Sequence, residues 1–164
     1  MEKAIVIGCP GSGKTTFALK LAEKIGLPLF HLDAIWHKPD KEHIPREEFD
    51  EKLREILTLH EWIIDGNYSR TMERRLAACD TVFFFDLPTA VCLLGASARL
   101  GNERRDIPWC DTELDPEFKR SIEAFATEQR PKIYELFDKY RRGINTVIFK
   151  TRAEADEYLN KVTF

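Results

Sequence analysis

The chain has 164 residues, 43% of them hydrophobic and 32% charged, a balance that suits one globular domain over 1–164 and excludes a disordered chain. Its net charge of −3 and pI near 5.9 give no global attraction to nucleic acid or to an anionic membrane, so any anion site has to be local. No apolar run approaches the ~18 residues that span a bilayer, and the N-terminal residues lack the basic and long apolar regions of a secretory signal.

In chain order, Ala4-Ile5-Val6-Ile7 predicts a buried strand ending in Gly8. Phe17, Leu21 and Ile25 recur at helical spacing, and Gly26 stops that helix. Leu29-Phe30-His31-Leu32 predicts a second short strand. Phe49, Leu53, Ile56 and Leu57 mark a helix with Pro45 near its start. Trp62-Ile63-Ile64 predicts a third strand, ending at Asp65-Gly66. Thr81 to Phe85 predicts a fourth, whose unbroken apolar run calls for cover on both faces. Residues 101–115 are charged, contain Gly101 and Pro108 and lack periodicity, which predicts a mobile loop. Asp115 and Pro116 open a long helix with the stripe Phe118, Ile122, Phe125, which Pro131 should kink or split. Ile133, Leu136 and Tyr140 resume the stripe and Gly143 ends it. Thr146 to Phe149 predicts the fifth strand, and Thr151-Arg152-Ala153-Glu154 is a capping box for a last helix. Strands alternating with helices predict an α/β fold, a parallel sheet with helices on both faces.

Cys9, Cys79, Cys92 and Cys110 form no C-x-x-C pair. They predict free thiols in a reducing compartment and hence a cytoplasmic location.

The segment from Gly8 to Thr15 fits G-x-x-x-x-G-K-[ST]. Glycine makes up about 7% of average sequence, so four such constrained positions would arise by chance on the order of one time in a hundred or less. A strand before the loop and a helix after it support the functional reading. Glycines let successive backbone N–H groups point inward at phosphate oxygens, and the helix N-terminus adds free donors. The expected nucleotide contacts are Gly8, Pro10, Gly11, Ser12, Gly13, Lys14, Thr15 and Thr16. Lys14 would reach the β- and γ-phosphates, and Thr15 would place its hydroxyl on Mg²⁺. The implied cofactors are therefore ATP and Mg²⁺.

With this loop, Asp33, the segment Trp62 to Tyr68, Phe85-Asp86-Leu87-Pro88, and Arg104-Arg105-Asp106-Ile107-Pro108 with Cys110, the chain resembles adenylate-kinase-like P-loop kinases. More narrowly it resembles the small bacterial proteins often labelled topology modulation proteins, over nearly its whole length. The resemblance implies a P-loop three-layer fold with a five-stranded parallel sheet of order 2-3-1-4-5, an acceptor-binding region and an arginine-bearing lid at about 101–115. It implies that Asp33 faces the acceptor or a metal-bound water, against the plainer reading of a loop acid or helix cap. His31 reads as a strand residue before a base. Trp36, His37 and Lys38 line an acceptor pocket or a bland surface loop. Asp65 ends a strand beside the phosphate loop, where a carboxylate acts on Mg²⁺ or its water shell. Asp86 competes for that role. Asn67, Tyr68 and Arg70 are candidate substrate contacts, although Arg70 stands one residue further from the Asp-Gly pair than the resemblance requires. Arg99, Arg104 and Arg105 are candidates for transition-state charge, because guanidinium forks pair phosphate oxygens in two places. The resemblance puts a further arginine four positions before Arg99, where this chain has Gly95. Cys110 reads as packing or incidental rather than catalytic.

The expected function is ATP- and Mg²⁺-dependent phosphoryl transfer to a small-molecule acceptor, with nucleotides and nucleosides foremost. The alternative is an ATP-binding or ATP-hydrolysing regulatory protein affecting DNA topology, as the topology label implies. Direct DNA binding is not expected, because Lys and Arg are mixed with Asp and Glu in a mildly acidic chain. A regulatory GTPase would need an N-K-x-D segment, which Ile144-Asn145-Thr146-Val147 does not supply.

Overall fold

The computed structural model describes residues 1–162, and the last two residues of the expected domain, 163 and 164, lie outside the described residues. The elements are β1 (Lys3–Gly8), α1 (Lys14–Ile25), β2 (Leu29–His31), α2 (Leu32–Trp36), α3 (Arg46–Thr58), β3 (Trp62–Asp65), α4 (Ser69–Ala78), β4 (Thr81–Phe85), α5 (Thr89–Ala98), α6 (Pro116–Glu128), α7 (Arg130–Tyr140), β5 (Asn145–Phe149) and α8 (Arg152–Lys161). All strands pair in parallel, in the order β2-β3-β1-β4-β5, as the resemblance implied.

β1 is central: Ile5 pairs with Ile64 of β3 on one side and Val82 of β4 on the other. β4 explains its own unbroken apolar run. Successive strand side chains point to opposite faces, so Phe83 and Phe85 meet Phe17 of α1 at ring separations of 5.0 and 5.3 Å. Phe84 points the other way, to Tyr134 and Phe137 of α7, both at 5.6 Å. These contacts make three layers, with helices on both faces of a buried sheet.

Several predicted boundaries have local causes. Gly26 ends α1 at φ 74, a conformation glycine adopts without steric cost. Asp115 caps α6 by accepting from the Phe118 N–H, and the capping box at Thr151 and Glu154 is formed. Pro131 splits the long helical stretch: α6 ends at Glu128 and α7 starts at Arg130 with the proline in its first turn, where a missing N–H costs nothing. The second strand stops at His31, and Leu32 already belongs to α2, packed beneath Gly66. α5 carries no expected stripe, because its buried residues are the small Cys92 and Ala96 and Leu94 is exposed. Among the described residues, no helix is long and apolar enough to cross a membrane, and the four cysteines are free.

The carboxyl ends of β1, β2, β3 and β4 lie side by side and deliver Gly8, His31, Asp65 and Phe85 to one edge. Ligands of open parallel sheets bind at that edge.

Candidate active site

The phosphate loop is held by its neighbours at three points. Asn67 clamps Gly8, accepting from its N–H at 2.9 Å and donating to its carbonyl at 2.7 Å. Arg152 Nη2 donates to the Gly11 carbonyl at 2.8 Å and Nε to the Ser12 carbonyl at 3.2 Å. On the far side, Gly11 sits at φ 83 so close to α5 that any Cβ would collide with the Cys92 carbonyl. Gly13, at φ 101, precedes α1 with no side-chain cap. The first-turn N–H groups of α1 are thus left to an anion.

Thr15, Asp65 and His31 form one cluster. Thr15 Oγ1 donates to Asp65 Oδ2 at 2.8 Å, and His31 Nδ1 lies 2.9 Å from the same oxygen. Asp65 is 3% exposed, and its Oδ1 is buried without a protein partner. A hydroxyl beside a carboxylate with one open oxygen fits Mg²⁺, which takes one or two protein oxygens and completes its shell with phosphate and water. Asp86 is differently placed. It accepts from Tyr134 at 2.8 Å, pairs with Arg130 at 2.6 Å and contacts Lys150. Burial pushes its pKa up, but the Lys150 and Tyr134 hydrogen bonds and the Arg130 charge hold it below the usual carboxylate range.

Two cavities adjoin the loop. One, of about 580 Å³, runs along Gly11, Gly13, Lys14, Thr15 and Thr16 and is bounded by Arg105 and Arg152. The other, of about 400 Å³, lies under residues 101–115 and is walled by Asp33, Asn67 and Tyr68. Lys14, Arg99, Arg104 and Asp106 line both. In the second cavity Tyr68 donates to Asp33 at 2.7 Å, and burial followed by the Asp33 charge raises the tyrosine pKa. Burial, then Arg104, lowers the pKa of Arg99. His37 meets Trp109 edge to face at 4.9 Å, joining the loop after α2 to the segment 101–115. That segment has no helix or strand, and its base is tied by Gly101 N–H donating to the Asp111 carbonyl at 2.7 Å.

The structure therefore gathers Lys14, Thr15, Asp33, Tyr68, Arg99 and Arg104 around the two cavities, with Asp65 buried behind Thr15. Arg70 is not among them: it forms two bonds to Asp50 of α3, at 2.9 and 2.7 Å, on the exposed side of α4. Trp36 stacks on His43, 4.3 Å away, instead of lining a cavity. Cys110 is exposed. Ser69 is the first residue of α4, and its hydroxyl donates to Gln129.

Two residues that sequence reasoning missed support the loop. Arg75 is fully buried and donates to the carbonyls of Gly66, Asn67 and Tyr68. Burial lowers its pKa to about 10 against the opposing charges of Cys79, Asp65 and Tyr68. Its signal was the helical face it shares with Thr71, Met72 and Leu76, all buried. Arg152 left no signal, since the first turn after a capping box is ordinarily solvated. Its guanidinium lies beside Gly95, where a Cβ would overlap both Arg152 and the Gly11 carbonyl. No side chain fits at 95.

A parallel sheet of order 2-3-1-4-5 with a glycine loop entering α1 defines a three-layer α/β P-loop fold. No protein-family model matches the chain. Its sequence is 30% identical over 88 residues to adenylate kinase of Thermotoga neapolitana, including the sequence from strain ATCC 49049. The match covers 52% of this chain and spans 39% of the length of those adenylate kinases. In structure, the chain resembles shikimate kinase from Acinetobacter baumannii in complex with shikimate, with a TM-score of 0.61 over 98% of this chain and 90% of that one. At 16% identity, that likeness is one of fold.

Proposed function

We propose that this protein is a cytoplasmic kinase that transfers the γ-phosphoryl group of ATP, with Mg²⁺, to an oxygen of a small acceptor. One observation carries the reading: two cavities meet over Lys14, and Arg99 and Arg104 wall both. A nucleotide laid along the phosphate loop would then present its terminal phosphate at the junction, with the acceptor entering from the other side. In-line transfer needs that arrangement.

The loop N–H groups and Lys14 bind the phosphate chain. Thr15 and the open oxygen of Asp65 would hold Mg²⁺, directly or through water. When bound, the ion neutralises charge on the phosphate oxygens. Arg99, whose Nε has no protein partner, meets the charge that spreads over the transferring group, and Arg104 joins it only by leaving Asp106; one such arginine is worth on the order of 10³-fold in turnover. Asp33 orients the acceptor hydroxyl and takes its proton as the new O–P bond forms and the bond to the leaving ADP breaks. Tyr68 keeps that carboxylate in position.

The test combines nucleotide binding with turnover. ATP–Mg²⁺ should raise the melting temperature by mass action, and Lys14→Ala should remove most of that rise while leaving the ligand-free fold intact. Asp33→Asn and Asp65→Asn should depress transfer far more than ATP binding. A full ATP-induced rise in Lys14→Ala, or wild-type turnover in both aspartate variants, would contradict these roles.

A further inference from the structure

The acceptor cavity carries the wrong charge for an anionic acceptor. Away from the phosphate loop its carboxylates are Asp33, Asp106, Asp111, Glu113 and Asp115. The cations that line it are already engaged or face the loop. Arg104 forks onto Asp106 through Nε at 2.9 Å and a second contact. Lys14 and Arg99 stand where the two cavities join. Two further arginines, which would otherwise be the obvious anchors for an acceptor phosphate, are turned elsewhere: Arg70 onto Asp50, and Arg75 onto three backbone carbonyls. The remaining titratable lining group of basic type is the half-buried His37, which packs on Trp109.

The apolar lining adds a second constraint. Tyr68, Trp109 and Phe118 present aromatic surface to the same cavity. Aromatic faces accept a flat ring or a cation, and carboxylates accept hydrogen bonds from hydroxyls and amines. A phosphate or carboxylate placed there would meet like charge on several sides, and the one lining guanidinium without a protein partner among the described residues, that of Arg99, stands at the junction with the nucleotide cavity.

From this lining we infer that the acceptor is an alcohol without an anionic group of its own: a polyhydroxylated, ring-bearing compound, neutral or carrying an amine. Its hydroxyl receives the phosphoryl group from ATP and loses its proton to Asp33, giving a phosphate monoester and ADP. This inference rests on the kinase reading above and narrows it. It separates this cavity from one suited to a nucleoside monophosphate or to a cyclic hydroxy acid such as the shikimate bound to the structural neighbour.

The experiment uses matched pairs that differ in the anionic group. ATP–Mg²⁺ turnover to ADP and phosphorylated product is followed with adenosine against AMP, cytidine against CMP, and an aminocyclitol against shikimate. The uncharged or amine-bearing member of at least one pair should be phosphorylated, with kcat/KM on the order of 100-fold above its anionic partner, since like-charge juxtaposition costs several kcal/mol. Glu113→Lys, at an exposed position, should narrow that ratio by raising use of the anionic member. Turnover of AMP, CMP or shikimate at or above the partner's rate overturns the inference and leaves the kinase reading standing. Absence of phosphorylated product from every compound, with ATP still bound, counts against the kinase reading and this inference together. The nucleoside and aminocyclitol arms separate a ring that stacks from an amine that pairs.

Discussion

The Arg152 guanidinium fills the space into which a side chain at Gly95 would project, and both residues press on the same carbonyl, that of Gly11. The phosphate loop is thereby sandwiched between α5 and the first turn of α8. The cation beside the loop comes from Arg152 of α8.

That contact gives the first prediction. Gly95→Ala adds a methyl group against backbone that cannot rotate away. Helix propensity favours alanine by up to about 1 kcal/mol, but overpacking costs about 1–3 kcal/mol, so the variant should be the less stable. Arg152→Ala should leave stability nearer wild type and weaken ATP binding by freeing the loop. In the double variant only part of the Gly95→Ala cost should be relieved, because the Gly11 carbonyl still collides. Urea midpoints and ATP titrations of the three proteins check this. An unchanged midpoint for Gly95→Ala would show that the approach is looser than described.

Arg75 supplies the second. Replacing it by Met keeps much of the buried volume but strips the donors from three carbonyls. Each buried acceptor left unpaired costs roughly 1–3 kcal/mol, so a loss of roughly 3 kcal/mol or more is expected. The clamp of Asn67 on Gly8 should loosen with it, lowering ATP affinity. Denaturant unfolding that moves by less than about 0.5 kcal/mol, within the spread of ordinary surface changes, would place the guanidinium outside the structural frame.

The third concerns acid. Asp86 is held below the usual carboxylate range in the folded protein, although burial alone would raise it. A depressed folded pKa means that the unfolded chain binds the proton more readily. The stabilisation is therefore complete above the unfolded value of about 3.9 and is lost as pH falls from there through the folded pKa. Asp86→Asn should lower the urea midpoint at pH 7, and the gap to wild type should begin to close below about pH 4, near that unfolded value, and go on closing as pH falls through the folded pKa. A gap independent of pH would mean that Asp86 acts through packing alone.

The fourth concerns the segment 101–115, which we propose closes over bound triphosphate. Arg104 already lines both cavities and Arg105 the nucleotide side. Hydrogen exchange of this segment should slow in the presence of a non-hydrolysable ATP analogue. Arg99→Ala and Arg104→Ala should each lose on the order of 10³-fold in turnover, by analogy with arginine fingers. Exchange unaffected by the analogue, together with normal turnover in both variants and in Arg105→Ala, would make the segment an ordinary loop.

Local sequence determined much of this molecule. The run from Ala4 to Thr15 specifies a strand, a phosphate-binding turn and a helix start, because glycine conformations and helix N-termini depend on neighbours in the chain. The caps at Asp115 and Thr151, the stop at Gly26 and the split at Pro131 are local for the same reason. Tertiary structure decided what depends on residues far apart. Nothing near position 152 announces that its guanidinium will cross to Gly11, 141 residues away. Arg70 and Arg75 look alike in the chain, yet α4 turns one outward to Asp50 and buries the other under the β3–α4 turn. The charge of the acceptor cavity likewise follows from which cations have already found partners, and that pairing is fixed only when the helices pack against the sheet.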